Sequence, residues 1–393
     1  MKLVRALCAV TIAVTVALAS VADAQPRRRA AQRPPPPPAI AQHVTIMDGA
    51  TGAILACENC NEPMPPASMA KLMTVLIVLE KLRAGEITLN TRYTVSAYAW
   101  REHGAPSGGS HMFLPVNSSV SVDDLLHGAV IVSANDACVV LAEGIAGSEQ
   151  AFVQIMNARA RALGLRSAHF TNATGLDDPD MRISSADLAR LARYIIMNYP
   201  DFYRVYSTRE FTYNNRTQAN RNPLLGTFDG ADGVKTGHTD DSGYGMVGSA
   251  LVNGQRRIIV FNGLPSMAAR ASEATRLMRS AFADYDMRQL FAANAPVGEA
   301  QVRLGSRRTV QLVSQQPITI VAPRGVASSL TARIVYRGPL RPPIAQGARV
   351  AELVVEGPGF QTQRFPLVAE RKIGRANWFA RAWEGLRLTL FGP

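Results

Sequence analysis

The sequence predicts a mixed α/β chain of the α+β kind, with helices and antiparallel strands in one large domain and a smaller β-rich domain behind it. Three observations lead there. A nearly all-apolar run follows Ser68 as far as Glu80, and helical periodicity returns over 123–146, 149–163 and 184–198. Two β-like runs, 244–252 and 256–263, flank Asn253-Gly254-Gln255, and a shorter pair, 43–47 and 53–56, flanks Asp48-Gly49-Ala50-Thr51-Gly52. Both read as hairpins. Past about Phe291 the pattern alternates at period two, punctuated by Gly, Pro and Ser, as far as Ala369.

The N-terminal stretch is not part of that fold. Lys2 and Arg5 precede an apolar run over 6–21, and Ala22-Asp23-Ala24 puts small residues where a signal peptidase reads them. A cleaved secretory signal over 1–24 is expected rather than a retained anchor, for which the run is short. Residues 25–39 carry Arg27, Arg28, Arg29, Arg33 and a run of prolines, a stiff basic linker with nothing to pack. A main domain over 40–291 and a β-rich domain over 292–369 follow. In the tail, 370–393, Ile373, Ala376, Phe379 or Ala380, Trp383, Leu386 and Leu390 form one helical stripe. Arg371, Lys372, Arg375, Arg381 and Arg387 fall mostly elsewhere, so a basic amphipathic helix lying in a membrane interface is expected. The alternative is a helix packed back on the β-rich domain.

Lys and Arg number 42 against 30 Asp and Glu, a net charge of +12. In an exported chain this favours anionic lipid or wall polymer. No Gly-x-Gly-x-x-Gly stretch, phosphate loop or aromatic-plus-basic RNA signature is evident, and no nucleic-acid partner is expected. Cys8 leaves with the signal. Cys57 and Cys60 could be a redox or metal pair, but no second Cys or His pair completes a zinc set. A local disulfide is the preferred reading in an oxidising compartment, with Cys138 a buried, inert thiol in an apolar run. Neither a metal nor a cofactor is expected.

Three short stretches carry chemistry. In Pro65-Pro66-Ala67-Ser68-Met69-Ala70-Lys71, two prolines lead into a helix expected to start near Ser68. A serine there is ordinarily a cap, but Lys71 sits one turn on, on the same face. Burying an ammonium in an apolar segment is costly and lowers its pKa, so a neutral Lys71 could take the proton of Ser68. The second stretch, Ser133-Ala134-Asn135-Asp136, forces polar groups into an apolar helical run. Its ordinary reading is a helix break capped by Asn135 or Asp136, and such a break would show a hydroxyl and an amide together at a cleft wall. The third, Lys235-Thr236-Gly237-His238, lies on or just before the first strand of a sheet, where Gly237 would let a ligand approach the backbone.

Ser-x-x-Lys, Ser-x-Asn and Lys-Thr-Gly in that order are the signature of active-site serine penicillin-recognising enzymes. The flanking residues, with Ala162-Leu163-Gly164-Leu165, His169-Phe170 and Asn220-Arg221-Asn222-Pro223, resemble the D-alanyl-D-alanine carboxypeptidases, the low-molecular-mass penicillin-binding proteins. That resemblance implies a β-lactamase/transpeptidase-like domain, with an antiparallel sheet and a helical cluster, carrying a β-rich stalk. It implies a peptidoglycan stem peptide as substrate and β-lactams as acylating ligands. Ser68 would be the nucleophile, Lys71 its base and Ser133 a proton relay. Asn135 would hold the substrate amide, while a protonated Lys235 with Thr236 would bind the free carboxylate. The N–H groups of Ser68 and His238 would form the oxyanion hole, and Arg270 would lie near the carboxylate pocket. The enzyme would work in the periplasm, on the outer face of the inner membrane. Near Met181 no Glu-x-x-Leu-Asn occurs, which argues against a β-lactamase. A transpeptidase, an endopeptidase or a weak β-lactamase on the same site, and a non-catalytic wall-binding protein, remain the alternatives.

Overall fold

Alternation along the strands builds the central sheet. Strands β1 (His43–Asp48), β2 (Ile54–Glu58), β3 (Ala231–Thr239), β4 (Gly243–Val252) and β5 (Gln255–Leu264) pair antiparallel in the order β2-β1-β5-β4-β3. The computed structural model describes residues 40–326, 329–358 and 360–376. The expected signal and linker, and the tail beyond residue 376, lie outside them. On one face of the sheet pack α1 (Lys71–Arg83), α2 (Ala97–His103), α3 (Val122–His127), α4 (Asn135–Ala146), α5 (Glu149–Ala162) and α6 (Ser185–Asn198); on the other lies α7 (Met267–Ala283). Period two sorts the side chains of β5. Ile258 and Val260 join the core shared with the helical cluster, while Ile259 and Phe261 join Ala274, Leu277 and Met278 of α7.

Helix α1 runs through the middle of the larger core, with every residue from Lys71 to Leu79 buried. Side chains such as Leu72 and Leu76 each contribute about 1.5–3 kcal/mol by leaving water. The expected hairpin closes at Asn253 and Gly254, whose φ of 50° and 75° suit the tight turn that matches strand twist. At the far end of β1, Asp48 and Arg257 form a fully buried ion pair. Asp48 also accepts from the Thr51 N–H and hydroxyl, and Arg257 donates to the Ala281 carbonyl, so the charges are well met.

Lys235-Thr236-Gly237, expected on or just before the first strand of a sheet, lies on β3, an edge strand that comes before β4 in the chain and pairs with it. One detail differs from expectation: Ile373, assigned to an amphipathic tail, is fully buried in the core of the β-rich region and pairs with Ile344. Its apolar stripe therefore begins as domain core.

The β-rich region has strands β6 (Tyr285–Phe291), β7 (Pro296–Gln301), β8 (Thr309–Val313), β9 (Ile318–Pro323), β10 (Thr331–Val335), β11 (Arg349–Gly357) and β12 (Phe360–Ala369). Five of them pair in the order β7-β8-β12-β11-β10, and β6 pairs with β9, so strand pairing in this region starts before Phe291. Cys57 and Cys60 form a disulfide with Cα atoms 5.0 Å apart, and Cys138 is a free, buried thiol. No helix among the described residues is long and apolar enough to cross a membrane.

Candidate active site

Serines at helix starts mostly do one thing here. Ser96, Ser121, Ser148, Ser184 and Ser266 each accept the backbone N–H three residues on and so cap a helix. Ser68 does not. It sits in a 3₁₀ turn, Ala67–Ala70, ahead of α1, and its Oγ accepts from Lys71 Nζ at 2.7 Å. The helix expected from Ser68 thus becomes α-helical only at Lys71, and the tighter turn matters. At three residues per turn, residues i and i+3 eclipse, which brings hydroxyl and amine together.

Lys71 is fully buried and gives a second hydrogen to the Thr174 carbonyl at 2.5 Å. One turn along α1, Thr74 donates to the Ala173 carbonyl at 2.7 Å. The segment 173–175 is thereby laid against the helix. At Gly175 (φ 82°) a Cβ would come within 1.9 Å of the Ala67 carbonyl oxygen, so only glycine lets this segment lie so close to the Ser68 turn.

The second wall is a break in the helical run. A π-helical turn, Gly128–Val132, ends at Ser133, which is held in the left-handed region at φ 65°. Such a backbone is unusual for a residue with a Cβ and costs of order 1–3 kcal/mol, a strain that clusters at functional sites. Helix α4 then begins at Asn135 behind Ala134, and neither Asn135 nor Asp136 acts as its cap. The buried Asp136 carboxylate instead accepts the N–H groups of Met112, Leu114 and Ala137. This binds the 109–115 loop to α4, and the Ser110 carbonyl accepts the Asn135 N–H at 2.7 Å. Asn135 Oδ1 is left buried with no hydrogen-bond partner among the described residues.

Strand β3 supplies the third wall. A Cβ on Gly237 would lie 2.9 Å from the Pro66 carbonyl and 3.2 Å from the Ala67 Cβ. This glycine therefore admits the turn that carries Ser68. Lys235 and Thr236 are buried, and Lys235 Nζ donates to the Thr236 carbonyl at 3.2 Å. His238 is exposed, with its ring stacked on Tyr244 at 3.7 Å between centroids. From α7, Arg270 reaches the Gly237 carbonyl at 3.5 Å, and its Nε has no partner among the described residues.

These walls enclose a cavity of about 340 Å³. Ser68, Ser133, Asn135, Thr236, Gly237, His238 and Arg270 all line it, while Lys71 and Lys235 lie behind the lining. No Asp or Glu is among the lining residues, and among the described residues no group of His, Cys, Asp or Glu could hold a metal ion. Residues 30–264 match the family described as D-alanyl-D-alanine carboxypeptidase, and residues 285–375 match the C-terminal domain of penicillin-binding protein 5. The chain belongs to the D-alanyl-D-alanine carboxypeptidase family. The D-alanyl-D-alanine carboxypeptidase DacA of Haemophilus influenzae is 35% identical over 90% of both chains. Among solved structures, penicillin-binding protein 5 from Haemophilus influenzae superposes with a TM-score of 0.77 at 35% identity, over 86% of this chain and 99% of that one. Penicillin-binding protein D2 of Listeria monocytogenes, in its ampicillin-bound form, superposes with a TM-score of 0.53 at 29% identity, over 62% of this chain and 97% of that one.

In this carboxypeptidase the electrostatics follow from burial. Desolvation pushes the Lys71 ammonium down to about 8. Burial, and then the Lys71 charge and the Arg221 guanidinium, push Lys235 well below its ordinary value. The protein alone thus disfavours charge on both amines, where a neutral Lys71 beside a protonated Lys235 was expected. Burial also pushes the Cys138 thiol up to about 11, which keeps it an unreactive neighbour.

Sequence reasoning missed three parts of this site. The Thr174 carbonyl holds Lys71, Gly175 admits the Ser68 turn, and Arg221 lines the cavity while donating to the Ser110 hydroxyl. In sequence, Thr174-Gly175 falls in a stretch, 174–179, whose residues mark only a turn. Arg221 stood in a family-like stretch with no chemistry attached to it.

Proposed function

We propose that this carboxypeptidase removes the terminal D-alanine from peptidoglycan stem peptides ending in D-Ala-D-Ala, through an acyl-enzyme on Ser68. The observation that carries the reading is the 2.7 Å contact between the buried Lys71 amine and the Ser68 hydroxyl at the cavity wall. Neutral Lys71 takes the Ser68 proton as Oγ attacks the penultimate carbonyl. The oxyanion that forms is met by the N–H groups of Ser68 and His238. The first of these lies in a helix's opening turn, where N–H groups have no intrahelical acceptor. The C–N bond then breaks, and the proton passes from Lys71 through Ser133 to the departing amine. Water cleaves the ester with the same pair, returning Ser68.

Binding uses the atoms left unsatisfied. Asn135 Oδ1 accepts a substrate amide N–H, and Arg270, Thr236 and Lys235 take the free carboxylate. The arriving negative charge favours the proton on Lys235 that burial opposes, so the ligand itself completes the division of charge between the two lysines. β-Lactams acylate the same serine. Their release is slow because the cavity lining holds no carboxylate to activate water. The secretory-type leader and the basic, aromatic tail support work in the periplasm, with the tail at the outer face of the inner membrane.

Intact-mass analysis after penicillin exposure tests the reading. Wild type gains one adduct and Ser68→Ala gains none, while D-alanine release from a pentapeptide is lost in the same variant. An adduct on Ser68→Ala, or wild type that stays unmodified, overturns it. Cleavage of a cross-linked dimer faster than D-alanine release from the pentapeptide would point to an endopeptidase instead.

A further inference from the structure

One buried carboxylate near the site takes no part in the reaction described. Glu149, the first residue of α5, is 6% exposed, and both its oxygens are engaged. Oε1 accepts the Ala173 N–H at 2.9 Å, and Oε2 accepts the Tyr98 hydroxyl at 2.9 Å. Tyr98 Oη lies 3.2 Å from His103 Nε2, at the other end of α2. His103 is buried, and its Nδ1 has no partner among the described residues, which fits the tautomer with hydrogen on Nε2 donating to Tyr98. A chain of hydrogen bonds thus runs from His103 through Tyr98 and Glu149 to one peptide group.

That peptide group adjoins the base. Ala173 is held at its N–H by Glu149 and at its carbonyl by Thr74, and the next carbonyl, Thr174, holds Lys71 Nζ. A neutral amine has two hydrogens and one lone pair. With one hydrogen fixed on the Thr174 carbonyl, rotation about Cε–Nζ is restricted, and the lone pair can be kept on the Ser68 hydroxyl.

We propose that Glu149, steadied by Tyr98 and His103, is a positioning residue that fixes the 173–174 backbone and through it aims the Lys71 amine at Ser68. The inference rests on Lys71 acting as the base. It adds a residue on a different element, 78 positions from Lys71 in the chain. Misplacing a reacting group by about 1 Å can cost about a hundredfold in rate, so the chemical step is where the effect should appear.

The test is penicillin acylation of the full chain, with the reversible binding constant and the first-order acylation constant measured separately. Glu149→Leu lowers the acylation constant about tenfold or more and leaves the binding constant near wild type. Glu149→Gln, which keeps an acceptor for the Ala173 N–H, recovers most of the loss. Thr74→Val, near-isosteric and on α1, shows the same selective loss and carries the test if Glu149→Leu does not fold. Wild-type acylation constants in Glu149→Leu and Thr74→Val overturn the proposal, as does a Glu149→Gln variant no faster than Glu149→Leu. Lys71→Ala in parallel separates the two readings. If it is acylated as fast as wild type, the assignment of the base fails; if it is inert while Glu149→Leu and Thr74→Val react normally, only the positioning role fails.

Discussion

Lys71 has a pKa near 8 where an ordinary lysine has 10.5, and this sets how the enzyme answers pH. In the proposed mechanism the active form is the deprotonated amine, so raising the pH adds base. About one-tenth of Lys71 is neutral at pH 7, against roughly one part in 3,000 for an unshifted lysine, so burial enlarges the reactive fraction about 300-fold. The first-order acylation constant for a penicillin should therefore rise about tenfold between pH 6 and 7, bend near 8 and level off above about 9. Stopped-flow fluorescence with a reporter penicillin, from pH 6 to 9.5, reads the curve directly. A flat profile below pH 8 would refute a lysine base. A bend near 6.5 would point to an imidazole instead. Stability gives a second check of the same number. Between pH 8 and 10.5 the unfolded chain binds more protons at this position than the folded one, so Lys71's contribution makes the protein more stable as pH rises through that window.

Three further outcomes follow from particular contacts. Gly175→Ala puts a methyl 1.9 Å from the Ala67 carbonyl oxygen at a positive φ, so the Ser68 turn must move. Acylation should fall about a hundredfold while the circular dichroism spectrum stays native. Arg270→Ala should weaken a ligand with a free carboxylate by about 2 kcal/mol, or roughly thirtyfold, and leave its methyl ester almost unaffected in a competition assay. Asp48→Ala leaves Arg257 charged, buried and unpaired. A loss of about 3–5 kcal/mol is expected in urea unfolding, even though Asp48 does not line the cavity.

Much of the site was readable because its parts are local. Ser68 and Lys71 are three residues apart, and Ser133 and Asn135 two, distances over which one turn of backbone decides who faces whom. The kind of turn was legible only in the tertiary structure. A 3₁₀ start and a π-helical approach to a left-handed serine are not distinguishable, by apolar periodicity, from an ordinary helix with a cap. The same limit explains Ile373, whose stripe suited a membrane surface as well as a domain core until its pairing with Ile344 was seen.

By itself, then, the sequence determined the chemistry on offer. It contains a serine with a lysine one turn on, a polar break in an apolar helix, a lysine on or just before a strand, and strands whose alternation requires a two-faced sheet. Only the tertiary structure decided what surrounds the reacting pair. The Lys71 amine meets a carbonyl 103 residues away, and that carbonyl's neighbour meets Glu149 on another helix. Backbone groups are the same at every position, so no residue type marks the one carbonyl that will hold the Lys71 amine. Packing selects it, through a glycine with no Cβ in the way and a buried carboxylate that needs a donor.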